Sequence, residues 1–268
     1  MPELPEVETT RRGIAAHVTG HRIRAVIVRN PSLRWPVPED LADRLGGQTI
    51  RAVRRRGKYL LLDIGSGCVI VHLGMSGSLR IVRSDDAPRR HDHVDIVLTD
   101  GHALRLHDPR RFGAVLWSDR PGSHPLLRSL GPEPWEATAE YLYRRSRGRR
   151  QAIKSYIMDS RTIVGVGNIY ASESLFEAGI RPHRAAGRVS LQDYTRLAAA
   201  IVKVLERSIR LGGTTLRDFV SATGEPGYFR QTLQVYERQG QPCRACGTLI
   251  KRVVMAGRAS YYCPHCQR

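Results

Sequence analysis

The chain opens Met1-Pro2-Glu3-Leu4-Pro5-Glu6-Val7-Glu8, which puts a proline directly behind the initiator methionine. Removal of Met1 leaves a secondary amine at the chain end. An α-amino group titrates at roughly 7.7–8.0, so a useful neutral fraction exists near pH 7. Such an amine can attack an electrophilic sugar carbon and form an iminium, as catalytic lysines do with carbonyls. Glu3 stands next to it and is placed to move protons. Glu6 shares a face with Glu3 if the stretch is helical. The same residues also describe the start of an ordinary surface helix, and taken alone they leave both readings open.

A second group is more specific. Cys243-x2-Cys246 and Cys263-x2-Cys266 are separated by sixteen residues, the spacing of a four-cysteine zinc site. Four thiolates around one Zn2+ make a closed structural site with no open position for catalysis. Between the pairs, Lys251–Met255 and Ser260–Tyr262 read as two strands, with Arg258 at the turn. Gly165-Val166-Gly167-Asn168 ahead of a helix offers consecutive backbone N–H groups and a helix N-terminus, a cradle for a phosphate as well as a common turn and cap. Arg54-Arg55-Arg56-Gly57-Lys58 is a charge run leading into an apolar strand. Met75, in Gly74-Met75-Ser76-Gly77, and Arg110 with Phe112, in Asp108-Pro109-Arg110-Arg111-Phe112-Gly113, are turn-borne. Residues of that kind are usually core or lid, yet apolar wedges with an arginine also fill the hole left by a flipped nucleotide. His91-Asp92-His93 lacks a third ligand for a metal. Cys68 lies in an apolar run and reads as a small core residue.

The elements that must position these groups divide in two. Leu4, Val7, Ile14 and Val18 fall on one stripe of an opening helix, with Pro2 and Pro5 confined to its first turn. Short β-branched runs follow from Arg22 to Trp117, separated by Gly, Asp and Pro clusters. Ser66-Gly67 and Asp100-Gly101 are expected turns, and the spacing reads as a sandwich or barrel. Gly131-Pro132-Glu133-Pro134 and the basic residues after it mark a linker. Beyond it a helix from about Ile169 to Ala178 is stopped by Gly179 and Pro182. Ser190 and Asp193 open a capping box for a long helix that Gly212-Gly213 closes. With 43 basic against 25 acidic residues in 268, the formal net charge is +18 and the isoelectric point about 10.5, the footprint of a nucleic-acid binder. The sequence shows no secretory leader and no apolar run of membrane-spanning length, so no membrane role is expected. Four clustered cysteines and one alone suit an intracellular metal site.

The opening PELPEVE, the segment GVGNIYASE at Gly165–Glu173 and the terminal cysteine quartet, in that order, resemble the formamidopyrimidine-DNA glycosylases. The resemblance runs essentially from Met1 to Arg268. It implies an α+β architecture: residues 1–131 a catalytic β-sandwich with leading helix, 132–150 a linker, 151–230 a helix–two-turn–helix domain, and 234–268 a zinc finger. It implies a bifunctional glycosylase and AP lyase that excises 8-oxoguanine and formamidopyrimidines through Pro2, with Glu3, Lys58 and Arg258 assisting and β,δ-elimination following. It makes Met75, Arg110 and Phe112 the void-filling residues and His91, Arg150 and Asn168 DNA contacts. It makes Thr214–Tyr228 a lesion-covering loop. The implied cofactor is one structural zinc. The implied partner is double-stranded DNA carrying oxidised purines or abasic sites, met by a monomer in the bacterial cytoplasm at the nucleoid. Two rivals stay open: the related endonuclease VIII branch, which prefers oxidised pyrimidines and usually has glycine where Leu4 stands, and a non-catalytic DNA binder on the same scaffold.

Overall fold

Helix α1, Leu4–Val18, begins one residue after Glu3, which is its N-cap. The Glu3 N–H donates to Glu6 Oε2 at 2.9 Å, and the Glu3 carboxylate accepts the Glu6 N–H in return, a reciprocal box that satisfies two orphan donors. Leu4, Val7, Ile14 and Val18 are all buried, as their stripe requires. These coordinates are a computed structural model describing residues 2–213 and 229–268, and the chain forms two units. One comprises Met1–Arg128 with Leu211–Tyr228; the other comprises Ser129–Arg210 with Phe229–Arg268.

In the first unit α1 packs on a pair of four-stranded antiparallel sheets. One runs β1 (Ile23–Val28), β6 (Asp92–Leu98), β7 (His102–His107), β5 (Ser78–Arg83); the other runs β2 (Ala52–Arg56), β3 (Tyr59–Asp63), β4 (Cys68–His72), β8 (Ala114–Ser118). Alternation sends Leu60 and Leu62 of β3 inward, where they meet α1, Leu79, Leu104 and Val115 in one core. Short helices α2 (Leu41–Leu45) and α3 (Pro125–Arg128) complete the unit. Glu8, on α1, accepts from Arg11, Arg12 and, across the interface, Arg55 of β2. Burial alone would raise its carboxyl, but these guanidinium groups outweigh it and hold the group at about 2. Cys68 is buried as expected, and burial pushes its thiol up to about 12.

The second unit begins at Ser129 and takes in the whole stretch, residues 132–150, expected to be a linker. Residues 139–146 form α4 (Ala139–Ser146), capped by the Thr138 hydroxyl, which accepts from Tyr141 N–H. It packs on α7 (Leu191–Arg210), beside α5 (Ile153–Met158) and α6 (Asn168–Glu177). Part of the basic run is spent internally: Arg147 donates to the Val189 carbonyl at 2.8 Å and lies 3.9 Å from the Tyr143 ring centre. The antiparallel hairpin β9 (Lys251–Met255) and β10 (Arg258–Tyr262) ends the chain. Its two-residue turn, Ala256-Gly257, has positive φ at both positions, the form that matches strand twist.

Candidate functional site

The expected residues fall into two sets, one in each unit. In the first, Pro2 and Glu3 are buried at the start of α1. The chain returns to this point at Gly213, where an added β-carbon would stand 3.2 Å from Glu6 Oε1. The expected loop Thr214–Tyr228 lies beyond it, outside the described residues, as does Met1. Lys58 sits in the two-residue turn joining β2 to β3. Gly57 precedes it with φ +56, a conformation in which glycine is at ease. Its ammonium acts on His72 of β4: burial first, then the charges of Lys58 and Arg34, push that imidazole down to about 4. His72 therefore stays neutral at physiological pH, its Nδ1 accepting the Gly74 N–H at 3.0 Å.

Met75 and Phe112 are respectively 39% and 43% exposed, unusual for large apolar side chains. The Arg110 guanidinium lies 4.8 Å from the Phe112 ring centre, a cation–π pairing. The two loops that carry them touch backbone to backbone: a β-carbon at Gly74 would meet Phe112 and Gly113 main-chain atoms at 2.5 Å. Asp108 joins them. Its fully buried carboxylate accepts from Gly113 N–H at 2.7 Å and from the Ser76 hydroxyl at 3.2 Å. Its main chain donates to the His91 carbonyl at 3.0 Å and accepts from His93 Nε2 at 2.9 Å. His91 and Arg111 hold positive φ of 77° and 56°. Such conformations cost of order 1–3 kcal/mol each and persist only where surrounding bonds impose them. His91 precedes β6 instead of lying on it, and His93 is a buried structural residue. The Asp92 between them bonds to Arg80 and His107.

In the second unit, α6 starts at Asn168 behind Gly167, with no side chain capping it. Asn168 is tied to the hairpin: its Nδ2 donates to the Ala259 carbonyl at 3.2 Å. Its Oδ1 accepts from Lys154 Nζ at 2.7 Å, and the same ammonium reaches Ser260 Oγ at 2.8 Å. Lys154 is almost wholly buried and fixes Asn168 beside the strand that begins with exposed Arg258. A cleft of about 180 Å³ opens there, lined by Lys154, Met158, Met255 and Arg258 among others. Glu173 accepts three main-chain N–H groups, from Gln234, Val235 and Tyr236, and so anchors the approach to the hairpin on α6. Arg150 is exposed between α4 and α5.

The four cysteine sulfurs all lie within 4.8 Å of one another, with Cys243–Cys266 at 3.9 Å and Cys246–Cys263 at 3.4 Å. A tetrahedral zinc with bonds of about 2.3 Å needs sulfur separations of about 3.8 Å, so the quartet fits one structural Zn2+. The sulfurs are too far apart for disulfides. Hydrogen bonds from Thr248 push the Cys246 thiol down to about 6, whereas burial first pushes Cys263 and Cys266 up; a coordinated metal would deprotonate all four. Among the described residues this is the one group of cysteine, histidine and acidic side chains clustered for a metal.

Reasoning on sequence did not single out Asp108, Ser76, His72, Lys154 or Glu173. For Asp108, Ser76 and His72 the nearby glycines Gly74 and Gly113 carry a local signal, a close approach of backbone that a side chain would block; Lys154 and Glu173 have none of that kind.

Three family models match the chain: the formamidopyrimidine-DNA glycosylase N-terminal domain over residues 1–115, its H2TH domain over 130–220, and the zinc finger found in FPG and IleRS over 240–268. The formamidopyrimidine-DNA glycosylase of Thioalkalivibrio sulfidiphilus is 59% identical across the whole of both chains. Two solved structures of the Lactococcus lactis Fpg superpose over nearly the entire chain. One, in complex with DNA containing an abasic site, has a TM-score of 0.91 at 32% identity and covers 100% of both chains. The other, with DNA containing Fapy-dG, has a TM-score of 0.90 at 32% identity and covers 99% of this chain and 100% of that one. With sandwich, H2TH helices and cysteine hairpin all matched in order, the chain belongs to the formamidopyrimidine-DNA glycosylase family.

Proposed function

We infer that this protein is a base-excision repair enzyme, a glycosylase with AP lyase activity that removes oxidised purines from double-stranded DNA. The observation that carries the reading is the Pro2-Glu3 start, held at the head of α1 by the Glu3–Glu6 box in a chain matched end to end by relatives of that activity. The net charge of +18 supplies sequence-independent attraction to phosphate.

In the proposed reaction Met1 has been removed and the neutral nitrogen of Pro2 attacks C1′ of the damaged nucleotide. The bond from C1′ to the base breaks and the base leaves with a proton. Glu3 protonates the ring oxygen as the sugar opens, giving an iminium between Pro2 and C1′. With the iminium as electron sink, the C2′ proton passes to water, and the electron pair of the broken C–H bond expels the 3′ phosphate. A second elimination, with the C4′ proton passing to water, expels the 5′ phosphate; water then hydrolyses the iminium, which releases the unsaturated sugar remnant, frees Pro2 and leaves a one-nucleotide gap. Lys58 and Arg258 bind the flanking phosphates, and Asn168 with the open start of α6 holds another. His91 and Arg150 add DNA contacts. Met75, Arg110 and Phe112 fill the space vacated by the everted base. The bound zinc shapes the hairpin; its closed thiolate set offers no catalytic position.

The protein works as a monomer on nucleoid DNA in the bacterial cytoplasm; no helix among the described residues is long and apolar enough to cross a membrane. The test is excision measured side by side on duplexes containing 8-oxoguanine and thymine glycol. The reading expects faster cleavage at the purine lesion. Preference for the pyrimidine assigns the chain to the endonuclease VIII specificity, and no cleavage of either makes it a binder.

A further inference from the structure

Three short segments approach the buried side chain and backbone of Asp108, and each carries a residue assigned above to DNA. The Ser76 hydroxyl reaches Asp108 Oδ1 from the Met75 loop at 3.2 Å. The Gly113 N–H reaches Oδ2 from the end of the Arg110–Phe112 loop at 2.7 Å. The His91 carbonyl and His93 Nε2 take up its main-chain N–H and carbonyl. The carboxylate is 0% exposed, and both of its oxygens point at loop atoms. A carboxylate withdrawn from water is retained only where donors compensate it. The donors here belong to loops whose side chains Met75 and Phe112 protrude into solvent. The contact also explains two glycines: a β-carbon at Gly113 would come within 2.9 Å of Asp108 Oδ2, and one at Gly74 would strike the Phe112 main chain.

We propose that Asp108 is a positioning residue that fastens the Met75 loop to the Arg110–Phe112 loop, so that the three side chains enter the base stack as one preassembled wedge. The proposal rests on the reading that this face replaces an everted nucleotide. Loops that move independently would have to be ordered during each eversion, at the expense of rate. Asp108 touches no reacting atom in this account. Its influence is confined to substrates from which a base must be extracted from a duplex. A single-stranded abasic site presents nothing to extract.

The experiment uses the full chain and compares two rates: excision of 8-oxoguanine from duplex, and strand cleavage at a preformed abasic site in single-stranded DNA. For Asp108→Ala the ratio of the first to the second falls about tenfold. Asp108→Asn restores it to within about threefold, because an amide oxygen still accepts from Gly113 and its NH2 can donate to Ser76. Should the alanine variant fail to fold, Ser76→Ala removes one of the two carboxylate bonds outside the sheets, and its ratio falls about threefold. A folded alanine variant at either position whose ratio stays within twofold of wild type overturns the assignment, whether both rates are unchanged or both fall together. Wild-type protein inactive on both substrates contradicts the proposed function instead, so the two failures are distinguishable.

Discussion

In the amino-terminal unit the loops bearing Met75 and Arg110–Phe112 hang from a sandwich whose core runs from Val7 through Leu60 to Val115. The carboxyl-terminal hairpin with Arg258 leans on Val235, Ile250 and two of its own cysteines, Cys243 and Cys263. So small a buried cluster leaves a segment of some thirty residues dependent on other bonds, and metal binding by a thiolate set of this kind is itself folding free energy. The first unit thus keeps its shape by area and can delegate loop placement to single hydrogen bonds. The hairpin, unlike the helices of its own unit, has little buried area and depends on a metal.

Three perturbations should separate the units, and a fourth tests the seam within one of them. Pro2→Gly should have the largest effect, lowering 8-oxoguanine excision on the order of a thousandfold while DNA affinity and zinc content stay near wild type. Excision above a tenth of the wild-type rate would remove Pro2 from its role. Zinc removal, or Cys243→Ala, should weaken duplex binding by at least about tenfold yet leave the thermal transition of the sandwich in place. Unchanged binding, or melting of both units together, would contradict the division. Lys58→Ala and Arg258→Ala should each shift the slope of log affinity against log salt by about one phosphate's worth, roughly 0.9, and slow strand cleavage. A variant with the wild-type slope does not lose a phosphate contact.

The smallest effect concerns the bond between α1 and β2. Glu8 has its carboxyl lowered to about 2, so its stabilisation is fully present above the ordinary glutamate range and is lost as pH falls from that range through 2. His72, lowered to about 4, acts in the same direction, its contribution fading as pH falls from about 6.5 toward 4. Glu8→Gln should therefore flatten the lower part of the acid-unfolding curve and His72→Gln the upper part, both read by thermal midpoint against pH. A Glu8→Gln curve that retains the wild-type slope below pH 4.5 removes the ion cluster from the account.

How much of this was written in the chain depends on the reach of each interaction. The α1 stripe, the strand runs, the cysteine spacing and the glycine-led start of α6 are local patterns, and all four elements form where those patterns stand. The strand orders β1-β6-β7-β5 and β2-β3-β4-β8 have no local signature. The same is true of the fastening residues. Asp108 meets Ser76 across 32 positions, Lys154 meets Ser260 across 106, and Glu173 collects N–H groups more than sixty residues away. A single buried polar residue shows no periodicity, so only the folded chain reveals which donors it serves. The helix inside the expected linker was hidden for a different reason: its flank of arginines reads as solvated charge until Arg147 is seen folded back on Tyr143 and Val189.

The claim on which the rest depends is a covalent bond between the proline nitrogen and deoxyribose. Its most direct test is borohydride added during reaction with an 8-oxoguanine duplex, followed by peptide mapping of the trapped adduct. The account predicts one reduced adduct on a peptide that begins with Pro2, from protein whose intact mass lacks Met1. A trapped lysine in place of Pro2, or active protein that retains Met1 and yields no adduct, would contradict it.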